Sequence, residues 1–141
     1  MLERTFNAER FDAVMRHPSV MSKVSLGIEE LPSSAPLVED QGNVVLMNEH
    51  GGFLFVQFAP DQYDVHTVFL PEGRGQAALD AALEARRLMF ETYGARRLVT
   101  FVPHDNPAAL KLAQAAGFEI DREAECMGAS GFTLVMEATC Q

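Results

Sequence analysis

Apolar residues recur along this chain with two spacings, alternate positions and three-to-four positions, and a Gly, Pro or Asn stands near most places where one gives way to the other. Residues 2–6, LERTF, alternate like a short strand, Asn7 then stands where a helix N-cap would, and AERFDAVMRH follows at helical spacing until His17-Pro18 ends it. A second, shorter helix is expected within residues 19–30, and LPSSAP (31–36) reads as a loop on its turn chemistry. NVVLMN (43–48) and FLFVQFA (53–59) form two strands joined across EHGG, and YDVHTVFL (63–70) adds a third.

From Gly75 to about Tyr93 the spacing is helical, with Ala78, Leu79, Ala82, Leu83, Ala85, Leu88 and Met89 on a broad apolar stripe. RRLVTFV (96–102) is a strand on its β-branched and aromatic content, and NPAALKLAQAAG (106–117) has Asn as N-cap, Pro at the first helical position and Gly at the end. FEIDREAECM and GFTLVMEA close the chain as two strands around a turn at residues 128–131. Helices, a meander, strand–helix–strand–helix and a closing hairpin describe a mixed α/β (α+β) domain spanning residues 1–141, rather than a doubly wound one.

Composition narrows the function classes. The chain has 48% hydrophobic and 22% charged residues, ordinary for a globular domain, and a formal charge of −9, which opposes general binding to nucleic acid backbone. A cationic or amine-bearing partner is the more natural expectation, although net charge of this sign also serves solubility. No run of about 18 apolar residues is present, and charges stand where a signal peptide has its apolar segment, so a soluble, cytoplasmic protein without membrane attachment is expected. Cys126 and Cys140 lack the spacing of a metal site or a disulfide framework, so no metal is expected and a reducing compartment fits.

The chemistry concentrates in TVFLPEGRGQAALDAAL (67–83), a strand that breaks at PEGRG and resumes as a helix. Such a junction exposes backbone N–H groups at the positive end of a helix dipole and can cradle a phosphate, or it can simply turn a corner. Gly73, Arg74, Gly75, Gln76 and Ala77 meet the first need. Neither nucleotide fingerprint fits: GxxxxGK[ST] is absent, and Arg96 and Arg97 stand where a Rossmann acidic residue belongs.

Taken with the Asn106 block one strand later, the order FLPEGRGQAAL, helix, RRLVTFV, NPAALKLAQAAGF resembles the GNAT acetyltransferase superfamily, with motif matches between Leu70 and Phe118. Gly75 and Ala77 fill the last two places of its acyl-coenzyme A loop, [QR]-x-x-G-x-[GA], with Glu72 where Gln or Arg is usual. Asn106, Ala109, Leu112, Gly117 and Phe118 match its second block. The chain is also similar to small acyltransferase-like proteins of tailed phages and prophages.

The resemblance implies a mostly antiparallel, splayed central sheet flanked by helices, with acetyl-CoA or another acyl-CoA as donor. The acceptor would be an amine of a small molecule or a protein. It implies that Val68, Phe69 and Leu70 meet the pantetheine arm through main-chain groups. Arg74, Gly75, Gln76, Ala77 and Ala78 would hold the pyrophosphate, and Asn106 would lie near the arm or serve only as an N-cap.

His66 is the candidate base, since imidazole exchanges protons near neutral pH, with Asp64 on the same strand face to orient it or to act itself; each is equally readable as a plain strand residue. The superfamily's tyrosine acid is replaced by Ala113, which leaves Tyr63, Tyr93 or water for that role, or a protein that binds coenzyme A without turnover. The closing strands are where a homodimer would form, since exposed sheet edges invite pairing.

Overall fold

One seven-stranded sheet collects the alternating segments, and the segments of helical spacing pack on its two faces. The computed structural model describes residues 1–20, 33–126 and 128–138. In chain order these form β1 (Glu3–Arg4), α1 (Ala8–Met15), α2 (Ala35–Val38), β2 (Val44–Asn48), β3 (Gly51–Ala59) and β4 (Gln62–Phe69). A 3₁₀ turn (Pro71–Gly73), α3 (Gln76–Arg87), a π-type turn (Leu88–Thr92), β5 (Arg97–Pro103), α4 (Pro107–Ala116), β6 (Glu119–Cys126) and β7 (Ala129–Glu137) follow. The strand order is β1-β2-β3-β4-β5-β7-β6, antiparallel except between β4 and β5, whose connection runs through α3.

Strand alternation divides the core in two. Val44, Leu46, Phe53, Phe55, Tyr63, Val65 and Phe69 turn to the face covered by α3 and pack on Ala78, Ala81, Ala85 and Met89. Val45, Met47, Leu54 and Val68 turn to the other face, where Phe11 and Val14 of α1 and Val38 of α2 cover them. A one-residue slip of any of these strands would exchange the two sets. Gly51 begins β3 because a Cβ there would come within 2.1 Å of Val68 O, so only glycine lets β4 approach this closely.

Several boundaries differ from the expectations. β1 shrinks to the two residues that pair with Met47 and Leu46. The expected loop at 31–36 gives its last two residues to α2, which is anchored to α1 where the Asp12 carboxylate accepts from Ser34 N at 3.1 Å and Ser33 Oγ at 3.2 Å. The expected helix within 19–30 lies, from residue 21, outside the described residues. On α3 the alanines face the sheet while Leu83 stays 42% exposed, because small residues let a helix sit close to a sheet of phenylalanines. The last turn is tighter than expected, since β7 already starts at Ala129 and Gly131 pairs within the strand with Pro103.

Candidate active site

β4 and β5 run side by side for only three pairs, Gln62↔Arg97, Tyr63↔Leu98 and Asp64↔Val99. Beyond these each strand keeps its outer partner, Phe69↔Gly51 on one side and Pro103↔Gly131 on the other, so the two diverge into a wedge. Leu70 N donates to His50 O at 2.8 Å, which sets the phase of the β3–β4 ladder: even-numbered residues of β4 turn both main-chain groups to β3. The odd-numbered residues therefore turn theirs into the wedge. Thr100 Oγ1 donates to Val65 O at 3.1 Å and Arg74 Nε to Phe69 O at 3.1 Å, both from the wedge side.

This phase redistributes the residues expected along the pantetheine arm. Phe69 faces the wedge, whereas Val68 directs its main-chain groups to β3 and Leu70 gives its N–H to His50 O and its C=O to Gly73 N, and the Val68 side chain is buried beneath α1. Thr67, which the sequence reading missed, has both its N–H and its C=O in the wedge with no strand opposite. The signal was present in strand alternation, but it needed the position of one ladder bond to become usable.

At the wedge mouth the chain turns through Pro71–Gly73, and Gly73 packs against His50 so closely that a Cβ would come within 2.5 Å of His50 Cβ. Gly75 then precedes α3 with φ 73° and ψ −134°, a conformation open to glycine alone, and a Cβ there would meet nothing within 4 Å. No side chain caps this helix. The first helical bond is Leu79 N to Gly75 O at 3.1 Å, so the N–H groups of Gly75, Gln76, Ala77 and Ala78 have no partner among the described residues. Four free donors at the positive end of a helix, with open space before them, fit a phosphate.

Arg74 commits two of its five guanidinium N–H donors to the protein itself. Its guanidinium donates to Phe69 O and, at 3.0 Å, to Ser19 O, tying the end of β4 to the segment after α1. Asn106 caps α4, its Oδ1 accepting from Ala109 N at 3.2 Å, and Ala113 presents only a methyl group two turns on.

His66 and Asp64 share the face of β4 that looks toward α1, with Nε2 3.4 Å from Oδ2 and both side chains about half exposed. The parallel register and strand alternation put half-buried Val99 and Phe101 of β5 on this same face. The sheet thus separates two surfaces, one of open backbone groups in the wedge and one carrying a carboxylate–imidazole pair beside apolar side chains.

Other candidates fall outside this arrangement. Tyr63 sits in the paired half of β4, six residues or roughly 20 Å of strand from Phe69. Burial raises its pKa, helped by Asp61 and opposed by Arg4. Tyr93 follows the far end of α3 and lies under the Arg4 guanidinium, so neither tyrosine stands at the wedge mouth. In the last turn of α3, Arg86 donates to Ala116 O at 2.9 Å. His50 and Glu49 pair at 3.6 Å on the hairpin beside that turn, and His104 stacks edge-on against Phe132, with Nε2 3.7 Å from Glu123. Among the described residues no cluster of His, Cys, Asp and Glu could hold a metal ion, and no helix is long and apolar enough to cross a membrane.

No protein-family model matches the sequence, and no curated protein sequence matches it. Solved structures do match. A spermidine N-acetyltransferase from Vibrio cholerae, in complex with CoA and spermine, aligns with a TM-score of 0.75 at 12% identity, over 97% of this chain and 94% of that one. An N-acetyltransferase from Campylobacter jejuni in complex with acetyl coenzyme A aligns over 99% and 100%, with a TM-score of 0.68 and 16% identity. A GNAT-family acetyltransferase from Bacillus anthracis aligns over 96% and 93%, with a TM-score of 0.72 and 14% identity. The likeness is one of architecture: this mixed α/β chain, with its splayed and mostly antiparallel seven-stranded sheet, has the fold of the GNAT acetyltransferases.

Proposed function

We propose that this protein is an acyl-coenzyme A-dependent N-acyltransferase, with acetyl-CoA as donor and an amine as acceptor. One observation carries the reading: four unpartnered N–H groups at an uncapped helix start, placed at the mouth of a wedge lined by unpaired strand edge. When bound, the cofactor supplies an activated thioester. The N–H groups of Gly75, Gln76, Ala77 and Ala78 bind the pyrophosphate, and the main-chain groups of Thr67 and the N–H of Phe69 hold the arm by strand-like hydrogen bonds. Asn106 stabilises the α4 start beside the arm.

Asp64 orients His66, and His66 takes the proton released as the amine attacks the thioester carbonyl. The reacting amine reaches that carbonyl from the Asp64–His66 face, where Val99 and Phe101 offer an apolar floor. Acidity supports a cationic acceptor, given the net charge of −9 and a V. cholerae neighbour in complex with spermine. A homodimer would form through the outer edge of β6, where Glu119, Asp121, Glu123 and Glu125 alternate with Ile120, Arg122 and Ala124 and would select a register that keeps like charges apart.

Calorimetry with acetyl-CoA and CoA tests the donor, and thiol release across an amine panel tests turnover. Absence of binding at millimolar concentration overturns the reading. A second reading, a GNAT-fold protein that binds coenzyme A without turnover, rests on Ala113, on Tyr93 lying under Arg4 and on the burial of Tyr63. Tight binding with no thiol release from any amine would favour it.

A further inference from the structure

The acyltransferase reading leaves one position unfilled: Ala113 bears a methyl group, Tyr93 lies under Arg4 past the far end of α3, and Tyr63, though only two residues from Val65, is buried in the core against α3, so nothing yet assigned meets the leaving sulfur. The wedge itself supplies a group. Thr100 is the first residue of β5 beyond the last β4–β5 pair, and Val65 is its counterpart on β4. Its hydroxyl lies between the separating strands, 3.1 Å from Val65 O, so it occupies the apex. On the other edge Thr100 stays in the ladder with Leu134, which fixes its backbone. Four residues of strand, roughly 13 Å, separate Val65 from Phe69 at the mouth, a span suited to an extended two-amide arm that starts at the Gly75 turn.

We propose that Thr100 is a catalytic residue whose hydroxyl donates a hydrogen bond to the sulfur at the apex of the wedge. The role rests on the acyltransferase reading. As the amine nitrogen bonds to the acyl carbon, the carbon–sulfur bond breaks and its electron pair goes to sulfur. The amine proton goes to His66. Thr100 does not ionise; its hydroxyl proton turns about the Cβ–Oγ1 bond from Val65 O to the sulfur, with Oγ1 staying at the apex, and stabilises the thiolate until solvent protonates it.

Ultraviolet titration of the thiol of coenzyme A bound to the folded protein reads this contact without any acceptor. For the wild type the bound thiol should titrate about one pH unit below the free thiol, a tenfold change in its acid constant worth about 1.4 kcal/mol. Thr100→Ser should keep most of that shift, and Thr100→Val should lose it while still binding coenzyme A. Every charged group on β4, β5, α3, α4 and the turn between β4 and α3, with Asp64, His66, Glu72, Arg74, Arg97 and Lys111 among them, is identical in all three proteins, so their influence cancels in the comparison.

A bound thiol that titrates at or above the free value in the wild type overturns the proposal without recourse to any variant. So does equal titration in wild type and Thr100→Val. No binding of coenzyme A by the wild type would instead overturn the acyltransferase reading, and this role with it. Binding with an unshifted thiol removes Thr100 alone.

Discussion

The two helices that follow β4 and β5 start in opposite ways. α4 opens with Asn106 accepting from Ala109 N and with Pro107 in the first turn, so little of its N-terminal donor capacity is left over. α3 opens after Gly75, with no side-chain cap and four N–H groups unpartnered among the described residues. Leaving a helix start bare forgoes about 1 kcal/mol that Ser, Thr, Asp or Asn would supply. A bare start facing open space, beside a capped one facing the same wedge, therefore points to a ligand that completes the first and not the second.

The strongest way to break this comparison is at Gly75. Gly75→Val forces a residue with a Cβ into a glycine-only conformation, at about 3 kcal/mol if the turn holds. The turn should rearrange instead, and coenzyme A affinity by calorimetry should fall roughly 100-fold. Wild-type affinity in this variant would mean that the turn amides are not the anion site. Asn106→Ala sharpens the other half: it should cost about 1 kcal/mol of unfolding free energy in urea, while coenzyme A affinity stays within about threefold.

Arg74 distinguishes charge from bracing. Because its guanidinium holds Phe69 O and Ser19 O, Arg74→Lys should behave like Arg74→Gln, with stability lower by about 1 kcal/mol and the salt dependence of coenzyme A binding unchanged. Full retention of affinity by the lysine variant together with loss by the glutamine variant would make Arg74 a direct phosphate ligand.

The smallest effect concerns the closed end of the wedge. Tyr63 has its folded-state pKa raised by burial above the ordinary tyrosine value of 10.0, so the stability it contributes is complete below that pH and is lost as pH rises through the folded value. Tyr63→Phe should flatten the alkaline fall in melting temperature and leave coenzyme A binding unchanged.

Much of this was legible in the residues. Asn7 and Asn106 both cap the helices that their sequences announce, because capping is local chemistry set within four residues. The break at Gly75 was legible for the same reason. The assignment of Val68 and Leu70 to the pantetheine arm was not settled by pattern, because alternation says which residues share a face but not which of them turn their amides toward the wedge. That phase is set by the contact of Leu70 with His50, twenty residues away in sequence. Thr100 was missed because its meaning depends on where β4 and β5 part, a property of the whole sheet. Arg74 reads as a phosphate ligand on charge and position, and nothing in its sequence surroundings signals that two of its donors brace the carbonyls of Phe69 and Ser19.

The central claim, that α3 and not α4 offers its bare amides to a pyrophosphate, is tested most directly by backbone amide NMR with coenzyme A added. The amides of Gly75, Gln76, Ala77 and Ala78 should shift most, those of Thr67 and Phe69 next, and that of Ala109, already held by Asn106, far less. Saturating coenzyme A that leaves the Gly75 to Ala78 amides unmoved, or that moves Ala109 most, would contradict it.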